Sequence, residues 1–146
     1  TNTFGPNDNY NALNSHFFPA LIKKAHDLKL NNKKELTLWG NGLAKREVIY
    51  VDDLADACIF FMKKSFSGTI LNIGTGKDFS IKQYAKIILS QIIPKNKIKI
   101  KYDLSKPNGT PRKVLDIKLA NKYGWKSKTK LDEAITKTYK NFLENN

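Results

Sequence analysis

Arginine is nearly missing from this sequence. Of its 26 basic residues only Arg46 and Arg112 are arginine, which leaves 24 lysines. Acidic residues are scarce too, 13 in all, so the formal charge is +13. Cysteine occurs once, at Cys58. A single cysteine excludes an internal disulfide and fits a reducing, cytoplasmic compartment. It sits in the apolar run Ala57-Cys58-Ile59-Phe60-Phe61-Met62, where a buried, inert thiol is expected. No apolar run approaches the ~20 residues of a membrane span, and no signal segment is visible. His, Cys and Asp nowhere share metal-ligand spacing, so no metal site is expected.

What is present describes a folded, anion-seeking chain. Its 146 residues fit one core, and 40% hydrophobic with 11% aromatic content is globular. The charge favours a nucleotide, nucleic acid or membrane surface. Most lysines are scattered and read as a solvated coat, and no arginine-rich or aromatic motif supports a nucleic-acid module. The first residues, Thr1 to Pro6, lack an initiator methionine and resemble a strand leaving into a loop, as in a piece of a longer chain.

The segment from Trp39 to Asp53 organises the rest. Gly40 and Gly42 bracket Asn41 as a turn. Glu47 to Val51 suits a buried strand, and Asp52 or Asp53 is placed to cap a helix opening at Leu54. Arg46 then stands at the mouth of a strand. A planar guanidinium suits phosphate better than an ammonium does; a surface ion pair with Glu47 or an aspartate is the plainer alternative.

In chain order, Asn14 or Ser15 can cap a helix with His16 and Pro19 in its first turn and Phe17, Phe18, Leu21, Ile22, Ala25 and Leu28 on its apolar face. Leu36–Trp39 reads as a strand. A helix follows from Leu54 to Lys64, broken at Gly68. Thr69–Ile73 reads as a second buried strand, parallel to Val48–Val51. Ser80 caps a helix from Ile81 to Ile92, and Ile98, Ile100 and Tyr102 alternate with lysines in a half-exposed strand. Residues 103–113 form a loop. Asp116 and Thr129 open two last helices. The alternation argues an α/β fold, with the final strand and helices as a smaller appendage.

Few residues offer chemistry. Gly74-Thr75-Gly76 lacks both the dinucleotide glycine spacing and a P-loop lysine, so a tight turn is the simpler reading. His16 stands at a helix N-terminus, where the dipole disfavours imidazolium and a neutral ring can act as a base. Ser105 to Lys113 holds two prolines, a glycine and three cations, a rigid basic loop able to clamp a pyrophosphate or simply to cross the surface.

Together these motifs resemble the extended short-chain dehydrogenases/reductases. Asn2-Thr3-Phe4-Gly5-Pro6, Trp39-Gly40-x-Gly42, Arg46-Glu47 and Val51-Asp52-Asp53 are similar to that family at large. Asn14-Ser15-His16, Pro19-Ala20-Leu21 and Lys106-Pro107-Asn108-Gly109-Thr110-Pro111-Arg112-Lys113 resemble its GDP-L-fucose synthase branch. The resemblance implies the last parallel strands of a Rossmann sheet plus a small α/β substrate domain, with residues 1–146 as the C-terminal substrate-binding portion. The Rossmann half, with its Ser, Tyr and Lys and its glycine fingerprint, is not in this sequence.

The implied activity is 3,5-epimerisation and NADPH-dependent 4-reduction of GDP-4-keto-6-deoxy-D-mannose, or the reaction of another nucleotide-sugar epimerase, dehydratase or reductase. A non-catalytic basic binding module is the alternative of a different class. By the resemblance, His16 is the epimerisation acid/base. Thr1, Asn2, Thr3 and His16 border NADPH, which is held mainly by the other half. Lys24, Trp39, Arg46, Lys99 and Lys113 contact the GDP-sugar. The expected partners are that GDP-sugar and a second copy joined through the other half, with neither nucleic acid nor membrane.

Overall fold

The computed structural model describes residues 1–12, 14–65, 70–95 and 97–145. Strand β3 (Lys45–Tyr50) is its hub. Glu47, Val48, Ile49 and Tyr50 are all buried, as a β-branched and aromatic run favours. The upper half of β3 pairs in parallel with β1 (Asn2–Phe4), Val48 to Tyr50 against Asn2 to Phe4. Its lower half lies between β4 (Asp78–Ser80), antiparallel, and β6 (Arg112–Lys113), parallel. A separate two-stranded sheet joins β2 (Glu35–Trp39) and β5 (Lys99–Asp103) in parallel, with Trp39 opposite Asp103.

Five helices surround these sheets among the described residues. Helix α1 (Phe17–Leu30) buries Phe18, Leu21, Ile22, Ala25 and Leu28 of the expected stripe, and Pro19 with them, while Phe17 is half-buried. Its N-cap is His16, which makes no side-chain capping bond, so neither Asn14 nor Ser15 takes that place. Helix α3 (Ile81–Ile92) begins at the expected Ser80 with a complete capping box. Ser80 Oγ accepts the Gln83 N–H at 3.2 Å, and Gln83 Oε1 accepts the Ser80 N–H at 2.8 Å. Helix α5 (Leu131–Asn145) buries Ala134, Ile135, Thr138 and Phe142. Helix α4 (Lys118–Lys122) is short, and the Asp116 carboxylate accepts the Lys118 N–H at 2.9 Å.

Four expectations are corrected. Helix α2 begins at Val51 and runs to Met62, with Tyr50 as N-cap. Asp53 instead accepts the Thr129 N–H and hydroxyl, at 3.1 and 2.9 Å. Cys58 is exposed. The second half of helix α2 is apolar all round, but the residues that pack are Leu54, Ala57, Phe60 and Phe61, against Ile49 and Trp125, and Val51, against the larger core, and Cys58 belongs to neither cluster. Residues 70–73 form no strand: no described strand pairs with them, and Ile70 is 77% exposed. Leu71 and Ile73 only rest against the Ile49 cluster. The break expected at Gly68 and the start of that strand at Thr69 lie outside the described residues. Finally, β5 and α5 are no appendage. Ala134, Ile135 and Phe142 of α5 share one core with Phe4, Val48 and Tyr50 of the larger sheet, and Ile100 and Tyr102 of β5 pack against it.

Candidate functional site

Because β2 and β5 run in parallel, their C-terminal ends emerge at the same edge, and the loops that follow meet there. The start of α1 and the start of β3 arrive at the same place. Between them lies a cavity of about 300 Å³, lined by Ser15, Phe17, Lys24, Leu38, Trp39, Arg46, Pro107 and Asn108 among others. Three of the sequence-predicted contacts, Lys24, Trp39 and Arg46, thus converge from α1, β2 and β3.

Trp39 is the exposed member of the indole pair, 63% against 2% for Trp125. An indole left out of the core next to cations is a stacking surface. The ammonium groups of Lys24 and Lys106 lie 5.8 and 5.6 Å from its ring centre. Lys24 also donates to the Thr37 carbonyl at 3.2 Å, and burial pulls its pKa below the ordinary lysine value. Arg46 forms no ion pair with Glu47. Its Nη1 donates to the carbonyls of Thr110 (2.6 Å) and Lys45 (2.7 Å), and neither Nε nor Nη2 donates a hydrogen bond among the described residues. The cavity edge therefore gathers three cations, an aromatic face and unspent donors.

Cross-strand register adds to this. Arg46 lies opposite Lys113, and Lys45 opposite Arg112; like charges in that relation repel. Arg112 is relieved by a two-pronged contact with Asp78, which holds that carboxyl below the usual range. Arg112 is thus spent on structure. Arg46 and Lys113 meet no carboxylate among the described residues, an arrangement that an anion would settle.

The remaining predicted residues scatter. Lys113 lines a different cleft of about 480 Å³ with Thr1, Asn2, Glu47, Val114 and Leu115. Asn2 Nδ2 donates to the Glu47 carbonyl at 3.1 Å, and Thr3 is in ladder register with Ile49. Lys99 is not brought to the cavity. It is exposed at the start of β5, opposite Glu35, four residues, or roughly 13 Å, from the Trp39 end. His16 is exposed and lies between Ser15 and Phe17, both of which line the cavity. Gly74-Thr75-Gly76, buried at its first residue and exposed at its last, closes around the buried Glu47 carboxylate. Glu47 Oε1 accepts the Gly76 N–H at 2.6 Å, and Oε2 accepts the Leu115 N–H at 2.9 Å.

Sequence reasoning named neither Lys106 nor Asn108 singly, although the loop holding them was conspicuous; their partners lie 67 residues away in the chain. Among the described residues no three His, Cys, Asp or Glu side chains gather to hold a metal ion, and no helix is long and apolar enough to cross a membrane.

A family profile described as "NAD dependent epimerase/dehydratase family" matches residues 1–74. GDP-L-fucose synthase 1 of Arabidopsis thaliana is 38% identical over 145 residues, 99% of this chain and 44% of that protein. GDP-L-colitose synthase of Yersinia pseudotuberculosis is 39% identical over 144 residues, 97% of this chain and 46% of that one. The crystal structure of a GDP-L-fucose synthetase from Naegleria fowleri bound to NADP superposes with a TM-score of 0.86 at 27% identity, covering 99% of this chain and 43% of that one. The chain spans less than half the length of these relatives.

Proposed function

This chain belongs to the NAD dependent epimerase/dehydratase family, and from that premise we propose that residues 1–146 are the C-terminal, substrate-binding portion of a GDP-sugar epimerase/reductase that makes GDP-L-fucose. One observation carries the reading: Lys24, Trp39 and Arg46 line a single cavity. Its chemistry suits a nucleoside diphosphate. An indole accepts a flat or apolar ring face, and Arg46 with the neighbouring ammoniums answers a diphosphate.

Epimerisation next to a keto group requires a proton to leave one face of the sugar and another to return to the opposite face. His16, exposed between two residues of the cavity wall, is the proton carrier on this chain. Reduction of the ketone takes a hydride, which NADPH supplies when bound. Thr1 and Asn2, beside the cleft they share with Lys113, offer one edge of its site. That cleft has Lys113 in one wall and Glu47, its carboxylate already holding the Gly76 and Leu115 N–H groups, in another, so only its Lys113 side fits the margin of an anionic cofactor.

Calorimetric titration of this chain with GDP tests the proposal. The expected result is saturable binding, weakened about tenfold or more by Arg46→Ala, the scale of a charged hydrogen bond. A folded wild-type chain that binds no GDP, or an Arg46→Ala chain that binds it equally well, overturns the site. The Yersinia relative's equal similarity favours a second product, GDP-L-colitose. NADPH consumption by a protein containing this chain, with each 4-keto GDP-sugar in turn, separates the two.

A further inference from the structure

The loop from Leu104 to Pro111 carries no regular structure, yet it is tied at its root, its middle and its far end. At its root the Asp103 carbonyl accepts the N–H groups of Gly40 (2.9 Å) and Lys106 (3.2 Å), and the Asp103 carboxylate accepts the Ser105 N–H (3.1 Å) and hydroxyl (2.6 Å). At its far end the Pro111 carbonyl accepts the Lys45 N–H at 2.8 Å, and the Thr110 carbonyl accepts Arg46 Nη1. Midway, Asn108 Oδ1 accepts the Asn41 N–H at 2.7 Å. The fit there is close. Gly40 has φ +63°, and a Cβ on it would stand 2.5 Å from Asn108 Oδ1 and 3.1 Å from Asn108 Cα, so only glycine leaves room for the loop.

We propose that Asn108 is a positioning residue: its side-chain latch to Asn41 fixes the Leu104–Pro111 loop, and so sets Lys106 over Trp39 and the Thr110 carbonyl on Arg46 before any ligand arrives. The inference rests on the GDP-site reading for its functional consequence, and on geometry alone for the latch. Among the described residues the only side-chain bond between the loop and the Gly40–Gly42 turn is the one to Asn108; the other ties are backbone bonds at the two ends of the loop, the local Ser105–Asp103 bonds and the Arg46 contact. Without it the loop is held at its ends, and Lys106 and Arg46 must be ordered at the moment of binding. A preformed site avoids that cost.

Two readouts on the full chain test this. The first needs no ligand: amide hydrogen exchange at Lys45, whose N–H bonds to Pro111 rather than to Asn108. Asn108→Ala should speed it about tenfold, while amides in the middle of α1 keep their wild-type rates. Asn108→Asp, which still presents an acceptor to Asn41, should restore slow exchange. The second is GDP affinity. Asn108→Ala should weaken it about tenfold in the wild-type background and much less in Arg46→Ala, because the two residues act through one loop. Unchanged Lys45 exchange in Asn108→Ala overturns the latch, whatever GDP does. Faster exchange with undiminished GDP binding overturns the positioning role. Faster exchange in a chain whose wild type binds no GDP upholds the latch and overturns the GDP reading instead.

Discussion

Replacing Glu47 should unsettle this protein more than replacing any residue of the cavity. Its side chain is fully buried, and its two oxygens accept the N–H groups of Gly76 and Leu115, with the Thr75 hydroxyl 3.3 Å from Oε1. Glu47→Ala removes both acceptors from two backbone donors, those of the exposed Gly76 and the half-buried Leu115. Water can reach such donors, so each costs about 1 kcal/mol, the net worth of a hydrogen bond; with about 1–3 kcal/mol for the volume emptied by a fully buried side chain, the loss is about 3–5 kcal/mol, a large share of the roughly 5–15 kcal/mol that holds a domain together. Glu47→Gln keeps the volume and one oxygen but turns an NH₂ group toward one of the donors, so about 1–3 kcal/mol should be lost. Urea unfolding followed by circular dichroism at neutral pH reads both. The expected order is wild type, then Gln, then Ala, with parallel slopes. A Glu47→Ala chain within about 0.5 kcal/mol of wild type, the range of an ordinary surface change, would refute the reasoning.

Two pH dependences follow from the charged groups. Burial lowers the Lys24 pKa, so its ammonium, and its pull on a diphosphate, is lost as pH rises through a value below the ordinary lysine range. GDP affinity should show this alkaline decline in the wild type, and the identical decline in Lys24→Met would refute the assignment. The hydrogen bond from Arg112 holds the Asp78 pKa down. The stability it gives is therefore full above the ordinary aspartate pKa and disappears as pH falls through the lowered folded value. The wild type and Asp78→Asn should differ in urea midpoint near neutrality and converge in strong acid; a gap that persists there counts against the pair.

Much of the fold was legible because local signals and burial agreed. The 3.6-residue stripe of α1, the Ser80 capping box and the lysine-alternating strand each have one physical reading. The failures share a cause as well. Residues 70–73 have a strand's composition, but a strand exists only through a partner's hydrogen bonds, which composition does not reveal. Cys58 lies in an apolar helix whose burial depends on which face is covered. Conversely, β4 and β6 are three and two residues long, below any periodicity, and owe their existence to β3. In the site, the resemblance named Lys24, Trp39 and Arg46 one by one; that they share a cavity depends on the parallel pairing of β2 with β5, which brings residues 39 and 103 side by side.

The pair Arg46-Glu47 shows how sequence proximity misleads on a strand. Neighbours in a chain invite an ion pair, yet successive side chains of a strand point to opposite faces. Arg46 goes to the cavity with Lys24 and Trp39. Glu47 goes inward, where a Cβ on Gly74 would stand within 3 Å of two carboxylate atoms. The same alternation separates two jobs. Had the two side chains met, the guanidinium would be neutralised and of little use to an anion; held apart by one pleat, Arg46 keeps its charge opposite an equally unpaired Lys113. The buried carboxylate meanwhile closes the 74–76 turn and fixes Leu115, two residues beyond Lys113. The motif is thus one device: its acid anchors the segment that carries the second cation, and its base stays free of any carboxylate among the described residues.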